Sequence, residues 1–143
     1  MENSNVGFGD ANIKKVIPIP PTGKFFEAWL EVLKPLHHLT NREIEVLAEF
    51  LKRRHKIEKT CQDKDAVDIL LMSRETKKAI RETCNLSSVY FQKMMVTFKS
   101  RGIIIDDPNI RGGKIDPRYI PRLKDDDKTM GVLFIFVNPN DHK

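Results

Sequence analysis

A chain of 143 residues accommodates one domain and a short arm, and excludes a second full domain. With 40% hydrophobic and 31% charged residues it can bury a modest core, which excludes wholesale disorder. The formal net charge of +5 admits an anionic partner without requiring one.

Residues 1–23 carry Gly7, Gly9, Pro18, Pro20, Pro21 and Gly23 around a short apolar patch. Proline fixes φ and removes a backbone donor, so this reads as an extended N-terminal arm. Val16, Ile17 and Ile19 are expected to hold it on a partner or a neighbouring subunit. Over 24–38 an amphipathic aromatic helix is predicted: Phe25, Phe26, Trp29, Leu30 and Leu33 recur at helical spacing, and Pro35 reads as its stop. Such a stripe serves a core, and Phe25, Phe26 and Trp29 are also candidates for a dimer contact.

"LTNREIEVLAEFLKRR" opens a second helix, because Thr40 followed by Glu43 forms a capping box. Ile44, Leu47, Ala48 and Leu51 make its buried face. Residues 58–66 are polar and read as a loop, and "AVDILLMS" reads as a short strand. Ser73 should cap the helix "RETKKAIRET", with Ile80 inward. Asn85 suits a left-handed helix end and Leu86 a plug into the core. Ser87 or Ser88 then caps a helix over 87–101 that Gly102 terminates. A strand over 103–105, a long charged loop over 106–129, an apolar strand over 132–137 and a tail, 138–143, complete the chain. The last strand is apolar throughout, so both its faces need cover.

Little in this pattern supports catalysis. Cys61 and Cys84 lack a Cys-x-x-Cys partner, and His37 and His38, adjacent in sequence, point apart in any regular element, so no metal site is expected. Gly112-Gly113 lacks the Gly-Lys-Ser/Thr ending of a nucleotide loop. Asp125, Asp126 and Asp127 are consecutive and fan apart, unlike a paired acid and base. The expectation is a non-enzymatic protein without a cofactor or small-molecule ligand. No apolar run approaches the ~20 residues of a membrane-spanning helix, and no signal sequence is visible, so a cytoplasmic protein, or one built into a virion, is expected.

The element order, with "LSSVYFQKMMVTFKSRGIII" at its centre, resembles a winged helix-turn-helix domain over residues 39–137. The stretch "LTNREIEVL" is also similar to the first helix of quorum-sensing-type response regulators, but nothing after it follows that family. The winged-helix resemblance implies a mainly α fold with a small β-wing, in which the helix over 87–101 enters the major groove of double-stranded DNA. It implies that Phe91, Met95 and Phe98 face the core, leaving Ser88, Val89, Gln92, Lys93, Val96 and Lys99 outside and Tyr90 and Thr97 at the margin. Arg81 departs from the family pattern, which usually has a small residue there, and implies wider packing or a shifted alignment.

Residues 74–101 contain seven lysines and arginines against two glutamates, a net +5 that equals the excess of the whole chain. Candidate nucleic-acid contacts are Ser87, Ser88, Tyr90, Gln92, Lys93, Thr97 and Lys99 on the reading helix. Arg74, Lys77 and Lys78 join them from the preceding helix, and Arg111, Lys114 and Arg118 from the wing, where Arg122 adds charge. The primary expectation is therefore DNA binding in transcription regulation, replication or DNA packaging, as a homo-oligomer. The alternative is an assembly protein of a virus particle or other large complex, which Val89 and Val96 on the outer face would serve as partner contacts.

Overall fold

The computed structural model describes residues 24–122. The arm over 1–23, the strand over 132–137 and the tail over 138–143 lie outside the described residues.

Six helices and one two-stranded antiparallel sheet follow one another: α1 (Phe25–Val32), α2 (Lys34–His37), α3 (Asn41–Thr60), α4 (Lys64–Leu71), α5 (Arg74–Thr83), α6 (Ser88–Ser100), β1 (Ile104–Asp107) and β2 (Ile110–Ile115). A single 3-10 turn, Pro117–Tyr119, closes the described segment. The mainly helical class with a small hairpin is as expected.

The longest helix, α3, owes its start to the predicted capping box. The Thr40 hydroxyl accepts from Glu43 N, and the Glu43 carboxylate accepts from Thr40 N. Ile44, Leu47, Ala48 and Leu51 are buried as the spacing predicts, joined by Val46 and Phe50. Burial of each large aliphatic side chain stabilises the fold by about 1.5–3 kcal/mol. Phe50 stacks on Phe91 at 6.3 Å between ring centroids, which ties α6 to α3.

Four expectations are corrected. The aromatic stretch over 24–38 is two helices, not one: α1 ends at Val32, and Pro35 sits in the first turn of α2, where its missing N–H is no loss. The loop expected over 58–66 is shorter, confined to 61–63, since α3 runs to Thr60 and α4 begins at Lys64. "AVDILLMS" is not a strand: Asp63 caps it by accepting from Asp65 N, and Val67 and Leu71, four residues apart, bury one helical face. The loop expected over 106–129 contains β2 and the 3-10 turn, because Pro108-Asn109 reverses the chain immediately after β1, with Asn109 N donating to Asp107 Oδ1 at 2.8 Å. The first strand correspondingly spans Ile104–Asp107 and not 103–105.

Other local signals fare better. Ser73 caps α5, and Ser87, not Ser88, caps α6. Asn85 adopts the left-handed conformation at φ 57° between them, and Leu86 is buried.

Two polar arrangements lie inside the core. Arg54 on α3 donates to Asp68 on α4 at 3.3 Å and to Glu58 at 2.6 Å. His37 is buried and fully hydrogen-bonded: Leu39 N donates to its Nδ1 at 3.0 Å, which assigns the proton to Nε2, 2.7 Å from Leu30 O. Burial holds its pKa below the usual histidine value, outweighing the Leu30 bond.

Two tests follow from the packing. Phe98 has no exposed surface, and Phe98→Ala should destabilise the protein by about 3–5 kcal/mol in urea denaturation. For His37, the unfolded chain takes up a proton near pH 6.5 that the folded chain accepts only at lower pH. Stability should therefore fall as pH drops from about 6.5 towards that lower pKa, and His37→Gln should flatten this dependence in thermal melts across the range.

Candidate nucleic-acid interface

The Ser87 cap and the buried residues Phe91, Met94, Met95 and Phe98 fix the rotation of α6. Ser88, Val89, Tyr90, Gln92, Lys93, Val96 and Lys99 are thereby exposed, and Thr97 is half-buried. At 13 residues the helix is about 20 Å long, with one continuous outward face. Val89 and Val96, seven residues apart, lie along the centre of that face at 69% and 66% exposure. Lys93 borders this line on one side, Gln92 and Lys99 on the other.

The cations of the region fall into two groups. Arg81 donates to Leu86 O at 3.3 Å, and Arg101 donates to His37 O at 3.1 Å and to His38 O, so both fasten turns. Arg81 is thus accommodated by bending back over the α5–α6 turn. Lys114 pairs with Asp107 at 3.2 Å, and Arg118 reaches Asp116 Oδ2 at 2.8 Å. Asp116 is held below the usual carboxylate range chiefly by that Arg118 bond, and Asp107 by the hydrogen bond from Asn109 N and then by Lys114. The wing cations Lys114 and Arg118 are therefore partly neutralised.

Arg74, Lys77, Lys78, Lys93, Lys99 and Arg111 have no ion-pair partner among the described residues. Arg74, Lys78 and Lys93 are exposed and solvated. Lys99 on α6 and Arg111 on β2 are exposed as well. Lys77 is half-buried; burial pulls its ammonium below the usual lysine range, and the Lys99 and Arg111 charges pull it further.

In the hairpin Ile105 pairs with Lys114 and Asp107 with Ile110, so one residue of β1, Asp106, faces three of β2, Arg111 to Gly113. This bulge needs glycine at both positions: Gly112 and Gly113 have φ of 91° and 88°, and a Cβ on Gly113 would stand 2.5 Å from Ile105 O. Gly112 lies beneath Lys77, whose Nζ is 3.6 Å from where a Cβ would be. Gly112-Gly113 falls within the loop expected over 106–129, and the bulge it forms in β2 is a correction of that expectation.

Of the residues expected at a partner contact, Phe26 is buried within the chain, and Trp29 donates from Nε1 to Tyr119 O at 2.9 Å. Both side chains thus serve the internal packing of α1, while Phe25 stays half-buried. Val16, Ile17 and Ile19 lie outside the described residues. Cys61 and Cys84 are free thiols, and burial pushes the Cys84 thiol up. Among the described residues no cluster of metal-ligating side chains occurs, and no helix is long and apolar enough to cross a membrane.

Comparison with protein-family models, with curated proteins and with solved structures returned no match.

Gly113→Ala tests the bulge directly. It combines an unfavourable φ with the clash at Ile105 O, and should destabilise the protein by at least about 2 kcal/mol in chemical denaturation.

Proposed function

We propose that this chain is a non-enzymatic protein of winged helix-turn-helix type that binds double-stranded DNA. In this reading α6 enters the major groove, and the β1–β2 hairpin follows the sugar–phosphate backbone. The observation that carries it is the exposed face of α6 bordered by Lys93 and Lys99, which like Lys77 on α5 and Arg111 on β2 have no ion-pair partner among the described residues. Ser88, Gln92 and Tyr90 add hydrogen-bonding groups suited to phosphates and base edges. Transcription regulation, replication and DNA packaging are the processes such a module would serve.

A second reading draws on Val89 and Val96, whose exposure has no purpose in a surface that reads phosphates alone. A thymine methyl gives a valine one partner in the groove. A protein partner gives it another, which would make α6 an assembly surface of a virus particle or other large complex.

Anisotropy with a labelled duplex of ~20 base pairs, titrated from about 50 to 200 mM salt, tests the first reading. Its logarithmic salt slope should be about −0.9 for each phosphate neutralised, and Lys93→Ala should reduce it by about 1 without loss of stability. Absence of duplex binding by the folded protein at about 50 mM salt rejects DNA binding. Val96→Asp, examined by sedimentation, should leave the oligomeric state unchanged if DNA binding alone uses this face, and disrupt it if the assembly reading holds.

A further inference from the structure

We infer that His37 is a proton-operated latch: a second proton on its ring breaks the bond from Leu39 N, opens the turn between α2 and α3, and so loosens the fastening of that turn to the end of α6. The neutral ring bridges two elements. Its Nε2 donates to Leu30 O in the last turn of α1 at 2.7 Å, and its Nδ1 accepts from Leu39 N, just ahead of α3, at 3.0 Å. The carbonyls of His37 and His38 both accept from the guanidinium of Arg101, which caps the C-terminal end of α6. One buried imidazole thus stands where α1, α2, α3 and α6 are joined.

Only the neutral ring fits this setting. An imidazolium donates from both nitrogens, so its Nδ1–H would face the N–H of Leu39 and neither would have an acceptor. No carboxylate among the described residues bonds the ring. The charges that act on it are Glu31 on α1, which favours the proton, and Lys34 and His38 on α2, which oppose it. Arg101 lies on the carbonyl side of the same residue, and the ring of Tyr119 stands 6.2 Å away. Glu31, Lys34 and His38 are exposed, so burial decides the balance and keeps the closed ring neutral.

The turn is also primed to open. His38 has a φ of 53°, a left-handed conformation that a residue with a Cβ holds only while its surroundings enforce it. It is held by Leu39 N on Nδ1, by Arg101 on the two carbonyls, and by its own N–H, which donates to Lys34 O at 2.9 Å. An open turn takes up a proton near the ordinary histidine value of 6.5 and a closed one only at lower pH, so acid draws the turn open. Lys99 lies in the α6 turn that Arg101 ends, so the event reaches the exposed face of that helix. The latch works whatever that face binds.

Hydrogen exchange on the full chain, followed by NMR as protection factors from about pH 7.5 to about 4.5 together with the ring shifts of His37, tests it. Protection at Leu39 should fall about tenfold for each pH unit below 6.5, the slope for one proton taken up on opening, until the His37 ring has titrated. The amide of Gly102, which donates to Lys99 O at 3.1 Å, should lose protection with the same midpoint. His37→Gln should make both amides independent of pH in this range, and His38→Asn, at an exposed position, should leave the response in place. Arg101→Met should keep the response at Leu39 and abolish it at Gly102. If His37→Gln fails to fold, the unaltered chain decides, through whether the ring and Leu39 midpoints coincide. A His37 ring that takes its proton while Leu39 stays protected overturns the latch, as does one that stays neutral until the whole chain unfolds. A response at Leu39 with none at Gly102 overturns the link to α6.

Discussion

The contact between the buried Arg54 and Asp68 is the constraint on which the alignment of α3 with α4 depends, and Glu58 is a second partner of the Arg54 guanidinium at 2.6 Å. Removing Arg54 would leave the buried Asp68 without its charged partner, so the pair specifies an alignment even where its net stabilisation is small. The helix it aligns, α4, packs against β2 as well as α3. Met72, just beyond the end of α4, comes within 3.9 Å of the Cβ position of Gly112. The placement of the bulge, and with it of Arg111, is thus continuous with an ion pair in the core.

The distribution of charge gains meaning from this frame. The net +5 of residues 74–101 is one number in the sequence and several roles in space. Arg101 satisfies the carbonyl of His37 at the end of α2, and Arg81 that of Leu86 in the α5–α6 turn, which is a structural use of cations. On the hairpin Lys114 and Arg118 answer carboxylates. Of what is left over, Lys93 and Lys99 border the exposed Val89 and Val96 on α6, so one face combines positive charge with two exposed valines.

Sequence reasoning located the helix starts well because caps are local: Thr40, Ser73 and Ser87 each satisfy a donor two or three residues away. It failed on α4 because the apolar run of "AVDILLMS" fits a strand until Asp68 is known to face Arg54, a partner fourteen residues earlier that propensity cannot see. It failed on β2 because two glycines at positive φ look like loop, whereas pairing across the hairpin makes them a bulge. The outward residues of α6 were readable from their period. The seating of Lys77 over Gly112 was not, since it depends on where the hairpin runs. The bonds of His37 to the backbone of Leu30 and Leu39 were likewise not readable, since they depend on how α1 and α2 turn.

The anchoring of the helices is uneven. Seven residues of α3 are buried, but α5 commits only Ile80 to the core, and most of its surface faces water. Helices held by so few apolar contacts open at lower free energy than the global transition, and their amides exchange with solvent through such local openings. Lys77 is carried on this weakly held element. A ligand that contacts Lys77 would fasten α5 from outside, so that occupancy and the order of this helix become one equilibrium. The region best placed to meet an anion is then also the region whose motion an anion would most restrain.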